Sequence, residues 1–284
     1  LTFIVVALVL VPALVMVLVT WAATGRIQGA ATWASIPAIV TIAAAFASGR
    51  AFAVRVALVM AFLAPLSIVA GLSPVSGAAL MAILCLTVGR LSRVGLHKSG
   101  LLVPVMIAWP LIDPPTWGDA TTVDRTDNAY LLWMALIFFV GAMIPALIVP
   151  LLTRKRAPHV PQTHTQTEAI TYAVMLTVLV SVATYYVLDH PKEIGGAFLI
   201  ASIMVMAPIG TAETLKPTVI RVVATVAGSV LVVLLLSGVH SLALIYAFGL
   251  LFLIVAMMGR LSGMAWLYFL FMVPATAALN ATTL

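Results

Sequence analysis

Two arginines stand just inside long apolar runs, at equivalent places in the two halves of the chain. Arg55 follows a polar turn at 48–50, and Arg221 follows a turn that holds Glu213 and Lys216. An arginine at the mouth of an apolar helix is costly unless its side chain snorkels to the interface or lines a water-filled cavity. The chemistry open to these residues is therefore that of a fixed positive charge at the edge of a membrane.

The spacing of these arginines belongs to a longer internal repeat. Arg55 and Arg221 are 166 residues apart. The tetrapeptide Gly-Arg-Leu-Ser occurs at 89–92 and again at 259–262, and Val-Pro occurs at 103–104 and again at 273–274, so both pairs are 170 residues apart. Three landmarks recur in the same order at a nearly constant offset. The sequence therefore predicts two copies of one unit.

Composition places these copies in a membrane. Of the 284 residues, 64% are hydrophobic and only 8% are charged, whereas soluble domains carry roughly 25% charged residues. The mean hydropathy is +1.23. In lipid every backbone polar group needs an internal partner, which leaves helices or a closed barrel, and long unbroken apolar runs favour helices. The single cysteine, Cys85, lies inside an apolar run and excludes an internal disulfide.

The predicted fold is an all-α polytopic membrane protein with two parallel repeats of about six transmembrane helices. The domains are a first repeat at 1–153, a basic cytoplasmic linker at 154–167 and a second repeat at 168–284. About eleven helices fall within the chain, because the second repeat lacks its sixth helix there. By apolar length, the spans are predicted near 2–22, 30–47, 54–71, 74–92, 98–112, 129–152, 168–188, 195–210, 219–237, 240–258 and 264–281.

The distribution of basic residues gives this topology an orientation. If the linker is cytoplasmic and the helices alternate, eleven basic residues fall on the cytoplasmic side and three outside, as the positive-inside rule requires. An even number of helices per copy makes the repeats parallel. The N-terminus is then also cytoplasmic. The cytoplasmic set is Arg50, Arg55, Arg90, Arg93, Lys98, Arg154, Lys155, Arg156, Lys216, Arg221 and Arg260, and the outer set is Arg26, Arg125 and Lys192.

The second copy resembles the fusaric acid resistance / aromatic acid exporter (FUSC) family of bacterial membrane proteins. That family has an aromatic-led helix, a proline about ten residues later, a turn, and the pattern R-x-x-G-T-x-x-G. Phe198 stands where the family usually has tryptophan, and Pro208 follows ten residues later. Arg221, Thr225 and Gly228 match the second pattern. The resemblance covers most of the chain in architecture and is specific over the first three helices of the second copy.

Some positions depart from the family pattern. Ala224 replaces its first glycine, a change that still allows close helix packing. The first copy keeps Arg55 and has Trp33 in the aromatic position, but Val59 and Phe62 replace the threonine and the glycine. The motif is therefore degenerate in the first copy.

The resemblance implies an exporter in the bacterial cytoplasmic membrane, driven by the proton gradient, for small organic and often aromatic anions. Such a carrier needs a cation, aromatic or apolar walls and a group that takes up a proton. The resulting candidates are Arg55 and Arg221 as cations, Trp33, Phe198 and Thr225 as further substrate contacts, and Glu213 for proton coupling. Each also has a structural interpretation: an interfacial arginine, a packed aromatic, a helix-contact threonine and a loop carboxylate.

Other functional classes lack a supporting pattern. The sequence contains no glycine-rich phosphate loop, metal-ligand cluster or Ser/His/Asp arrangement, and we expect no enzymatic activity, cofactor or metal. His159 and His164 are five residues apart without a third ligand. No basic and aromatic cluster predicts nucleic-acid binding. The expected partners are organic anions and the lipid bilayer. A homo-oligomer, accessory subunits, a channel, and a non-transporting scaffold or subunit of a cell-envelope or lipid assembly stay open as alternatives.

Overall fold

In the computed structural model, every regular element of the described residues is a helix. The structure describes residues 30–116, 123–152, 163–190, 196–206, 215–239, 241–262 and 264–279. The predicted all-helical class is confirmed for this part of the chain. The reason is the one given by composition: a chain this apolar can satisfy its backbone in lipid within each helix.

The helices follow the apolar runs of the sequence closely. Each predicted span from residue 30 onward coincides, within a few residues, with a helix or with part of one. The predicted span at 2–22 lies outside the described residues, so the total of eleven helices and the duplication stay predictions. The helices are α1 Ala30–Ala70, α2 Pro74–Ser92, α3 His97–Gly100, α4 Leu102–Ile112, α5 Asn128–Leu152, α6 Gln166–Asp189, α7 Gly196–Met206, α8 Leu215–Gly238, α9 Leu242–Leu261 and α10 Ala265–Leu279.

The first of these, α1, is two helices joined at a kink. Gly49 has φ 77° and ψ −167°, a combination that glycine adopts at little cost and other residues rarely adopt. The kink lies at the polar turn predicted from the sequence at 48–50. It divides α1 into an N-terminal half that carries Trp33 and a C-terminal half that carries Arg55.

Among the described residues, four helices are long and apolar enough to cross a membrane by length and composition. They cover 33–70, 74–92, 128–151 and 166–189, and a shorter apolar stretch covers 97–112. Many large apolar side chains on them are exposed, including Phe62 at 67% and Leu132 at 71%. Exposed apolar surface of this extent is consistent with a multi-pass membrane protein whose helices face lipid. The single turn α3 belongs to none of the four long helices.

The described helices fall into two compact units. One contains α1 to α7, and the other contains α8 to α10. In the first, α5 packs along α1, α2 packs along α6, and α7 contacts α4 and α6; in the second, α10 packs against both α8 and α9. Compactness and sequence duplication are different properties, so the predicted repeat boundaries stay predictions.

An arginine in the segment before α5 is bonded to the end of α4. The Arg125 guanidinium donates hydrogen bonds to the carbonyls of Leu111 (2.9 Å) and Ile112 (3.1 Å). The Tyr130 hydroxyl donates to the Pro115 carbonyl at 2.7 Å. The last carbonyls of a helix have no intrahelical donor, and a cation there also complements the helix dipole. Burial lowers the pKa of Arg125, while Tyr130 and Asp113 act in the opposite direction; the guanidinium stays charged at neutral pH.

We expect Arg125→Lys to lower the free energy of unfolding by about 1–3 kcal/mol, because lysine keeps the charge but cannot bridge two adjacent carbonyls. Thermal unfolding of the purified protein in detergent measures the effect. Arg93→Lys is the matched control, since Arg93 is exposed. Equal unfolding temperatures for the two variants would contradict this role of Arg125.

Candidate functional site

Arg55 lies on the C-terminal half of α1, shortly after the kink. Its side chain is exposed, and no carboxylate in the described part of the chain forms an ion pair with it. A lone guanidinium on an apolar helix is available to an anion. It is equally the arrangement that the positive-inside rule produces at a helix end.

Trp33 lies on the other half of α1 and is half-buried. Its ring centroid is 6.5 Å from that of Phe138 on α5, with the planes inclined by 33°. This geometry is a tilted aromatic pair, and it holds α1 against α5. The structure therefore gives Trp33 a packing role, and the remaining exposed part of its ring is what a substrate could contact.

For the other candidate residues, the structure describes at most the backbone. Phe198 is on α7, and Arg221 and Thr225 are on α8, without described side chains. Glu213 lies outside the described residues. Arg55, Trp33 and Phe198 belong to one compact unit, whereas Arg221 and Thr225 belong to the other. Each unit is described by itself, so the equivalence of Arg55 and Arg221 stays a prediction from the sequence.

The motif helix α8 is held closely against α10. A Cβ atom at Gly228 would lie 2.5 Å from the Leu270 carbonyl oxygen and 3.4 Å from Pro274 Cδ. Pro274 has no N–H and cannot donate the usual helical hydrogen bond to the Leu270 carbonyl. This carbonyl lies where the backbones of α8 and α10 approach each other. Ala224, one turn before Gly228, is 7% exposed. The small residues of the motif therefore form a helix contact.

The repeated tetrapeptide closes two helices in a similar way. Ser92 donates a hydrogen bond to the Gly89 carbonyl at 2.6 Å, and Ser262 donates to the Gly259 carbonyl at 3.2 Å and to the Met258 carbonyl at 2.8 Å. These bonds satisfy carbonyls in the last turns, which is a structural function. The structure thus favours a shared helix end over chemistry for this motif.

Helix α6 carries three hydroxyls on one face, at spacings of four and three residues. Thr184 is fully buried and donates to the Val180 carbonyl at 2.7 Å. The hydroxyl oxygens of Thr177 and Ser181 are buried and have no hydrogen-bond partner among the described residues. Polar groups that face the interior of an apolar bundle mark sites for polar ligands or water. We call Thr177, Ser181 and Thr184 the hydroxyl stripe.

A histidine pair joins the turn α3 to the start of α6. His97 is 7% exposed. Its ring centroid is 5.0 Å from that of His164 and 6.5 Å from that of Tyr172, in both cases nearly edge to face. His97 Nδ1 has no hydrogen-bond partner in the described part of the chain. A buried imidazole with one unpaired nitrogen is a group whose protonation is controlled by its surroundings.

The second histidine of the pair faces a carboxylate that is held in place. His164 Nδ1 is 3.9 Å from Glu168 Oε2. The same oxygen accepts hydrogen bonds from the backbone N–H and the hydroxyl of Thr165, both at 2.9 Å. The Glu168 N–H donates to the Thr165 hydroxyl at 3.3 Å, which completes a capping box at the start of α6.

Sequence reasoning missed this cluster because His97 and His164 are 67 residues apart. The capping box can be recognised in the sequence, because Thr165 and Glu168 have its spacing immediately before an apolar run. It marks the start of α6, but it does not indicate which turn packs beside it.

Burial and like charges keep His97 neutral. Desolvation lowers the pKa of His97 to about 4, and His164 and Lys98 act in the same direction. The unfolded chain binds this proton near the ordinary value of 6.5. Folding therefore favours the neutral ring, and its contribution to stability is present above about pH 6.5 and is lost as the pH falls towards 4.

The functional interpretation of this chain rests on its own sequence and geometry, because comparisons with known proteins found no match. No protein-family model, no curated protein and no solved structure matches this chain. Among the residues that the structure describes, no three His, Cys, Asp or Glu side chains are grouped so as to hold a metal ion. The resemblance to the exporter family thus rests on the motif residues of the sequence.

We expect Gly228→Ala to lower the free energy of unfolding by about 1–3 kcal/mol, because the added methyl group would press on the Leu270 carbonyl. Gly238→Ala is the control on the same helix, since nothing lies within 4 Å of a Cβ atom there. Thermal unfolding in detergent compares the two. An unchanged unfolding temperature for Gly228→Ala would show that α8 and α10 do not meet at this point.

We expect the protein to lose stability between about pH 6.5 and about pH 4, and His97→Gln to reduce that loss, because glutamine has no charged form. Unfolding temperatures at about pH 7.5 and about pH 4.5 measure the difference. His190→Gln, a change at an exposed histidine, should behave like the wild type. An equal loss of stability in the His97 variant would contradict the buried, neutral state of His97.

Proposed function

We propose that this protein is a secondary, proton-coupled exporter of small organic or aromatic carboxylate anions across the cytoplasmic membrane. The observation that carries the proposal is the exposed guanidinium of Arg55 beside the Gly49 kink of an apolar helix. Arg221 occupies the equivalent place in the exporter-like motif. Each of the two predicted copies thus carries one such cation for anion binding.

A guanidinium and aromatic rings are groups that suit an aromatic carboxylate. A guanidinium can hold both oxygens of a carboxylate at once. The half-buried ring of Trp33 offers an aromatic surface on the same kinked helix, and Phe198 would supply its counterpart in the second copy. Apolar walls with a few fixed polar groups are the usual composition of a small-molecule site.

The hydroxyl stripe supports passage of a polar solute. Thr177 and Ser181 face the protein interior without partners in the described part of the chain, although α6 is otherwise apolar enough to cross a membrane. Such groups are costly in lipid and are retained where they meet water or substrate. We assign Thr177 and Ser181 to the lining of the path that the solute would take through the protein.

The proposal includes membership of the FUSC family and a place in the bacterial cytoplasmic membrane. Its support is the motif around Arg221 and the excess of basic residues on one side of the predicted topology. In this orientation the N-terminus and the linker at 154–167 are cytoplasmic, and the two repeats are parallel.

One observation favours the alternative of a non-transporting scaffold or envelope subunit. Carriers that use a proton commonly keep an acid at membrane depth. The described carboxylates all lie at helix ends or in loops: Asp113, Asp124, Asp127, Glu168 and Asp189. A scaffold needs no such group, and a carrier must find its proton site elsewhere.

We expect vesicles or cells that contain the protein to export aromatic acids in a manner that a proton uncoupler abolishes. Arg221→Ala and Arg55→Ala should each reduce this efflux at least tenfold, because a charge-assisted hydrogen bond contributes about 1.5–3 kcal/mol. Arg93→Ala is the control, since Arg93 is exposed and lies outside the motif.

The outcomes of this experiment separate the site from the function. Efflux that survives both motif substitutions in well-inserted protein would leave the exporter and remove the two arginines from its site. An absence of efflux for every acid tested would favour the scaffold, and isolation of bound partners from the membrane would then be informative.

A further inference from the structure

A proton-coupled carrier needs a group that gains and loses a proton near physiological pH, and among side chains histidine meets this condition without perturbation. The described carboxylates lie at helix ends and in loops, as noted above. His97 is different because it is 7% exposed and its ring faces that of Tyr172 on α6. It is accompanied by a second histidine at a ring distance of 5.0 Å.

We propose that His97 and His164, together with Glu168, form a site for a single proton, and that this site supplies the coupling proton of transport. The proposal rests on the proposed exporter function and deepens it, because it names the groups that exchange the proton. Glu213, the coupling candidate from the sequence, lies outside the described residues and stays a prediction.

The geometry allows one proton and opposes a second. His164 has a side chain 20% exposed, so water reaches it, and its Nδ1 lies 3.9 Å from the Glu168 carboxylate. An imidazolium there is attracted by a carboxylate that Thr165 holds in position. A second positive ring 5.0 Å away would be repelled and, at His97, poorly solvated. The pair therefore exchanges one proton with water.

Among the residues that the structure describes, the charges around the pair are few. Tyr172 and Glu168 face it from α6, and Lys98 acts on it from its own turn. Cys85 of α2 lies near Tyr172. The arginines of the neighbouring helices are exposed, and the charges that act on His97 are those of His164 and Lys98. These arginines are Arg50, Arg55, Arg90 and Arg93.

The position of the pair connects proton exchange to the helices of the proposed anion site. The turn α3 lies between α2 and α4, and it contacts α1, α2 and α4. Helix α1 carries Arg55, and α6 carries the hydroxyl stripe. His97 of α3 faces His164 and Tyr172 at the start of α6, so the pair links the turn that contacts α1 to the helix that carries the hydroxyl stripe.

The first test is a titration that does not depend on transport. Purified protein with nitrogen-15 histidine is titrated by NMR, and the signals are assigned with single variants of the five histidines. We expect His164→Gln to move the titration of His97 to higher pH, and His190→Gln to leave it unchanged. A His97 titration that ignores residue 164 would overturn the one-proton site.

The second test measures protons moved during efflux of an aromatic acid such as benzoate from vesicles. We expect His164→Gln to reduce proton movement at least tenfold and to flatten the pH profile of efflux, while His190→Gln behaves as the wild type. Glu168→Gln is a milder variant, because glutamine can retain the capping box while it removes the charge opposite His164.

The two failures are distinguishable. If the wild type moves benzoate with protons and His164→Gln does so unchanged, the proton site is wrong and the exporter stands. If the wild type moves no acid at all, the exporter is wrong and the coupling role falls with it, even where the NMR titrations show one shared proton. Unfolding temperatures of each variant show that lost activity is not lost folding.

Discussion

Backbone hydrogen bonding in lipid is the constraint on which the rest of this structure depends. A peptide group without a partner costs several kcal/mol in hydrocarbon, so every regular element of the described residues is a helix. The backbone groups that still need a partner are those at the places where helices end or bend. Gly49 allows the chain to turn sharply, Arg125 donates to the last carbonyls of α4, and the Thr165–Glu168 capping box satisfies the start of α6.

The same cost arranges the polar side chains. The described carboxylates are at helix ends or in loops, and Arg55 is exposed near a kink. The Thr184 hydroxyl donates to a carbonyl of the preceding turn, whereas the hydroxyl oxygens of Thr177 and Ser181 are buried without a partner among the described residues. His97 is tolerated at 7% exposure because its ring is neutral. Among the described residues, the buried side-chain atoms without a hydrogen-bond partner are therefore few: His97 Nδ1 and the hydroxyl oxygens of Thr177 and Ser181.

Close packing of small residues supports these arrangements. At Gly228 the backbone of α8 approaches a carbonyl of α10 that Pro274 cannot pair, and a side chain at this position would separate the helices. In a membrane, apolar side chains gain little by leaving lipid for each other, so association depends on such contacts. This explains why the residues matching the exporter-like motif include both a cation and small residues: the small residues fix the helix that would present the cation.

The sequence by itself determined the helical class, the spans from residue 30 onward and the turn at Gly49, because apolar length and glycine act locally and lipid permits one regular solution. It also identified Arg55, Trp33 and the motif around Arg221 as candidates. Tertiary structure decided the partners: Trp33 with Phe138, Arg125 with the end of α4, and His97 with His164. Such contacts depend on how helices distant in sequence pack together, and no local periodicity encodes them. That is the physical reason why the histidine pair became visible only in the folded chain.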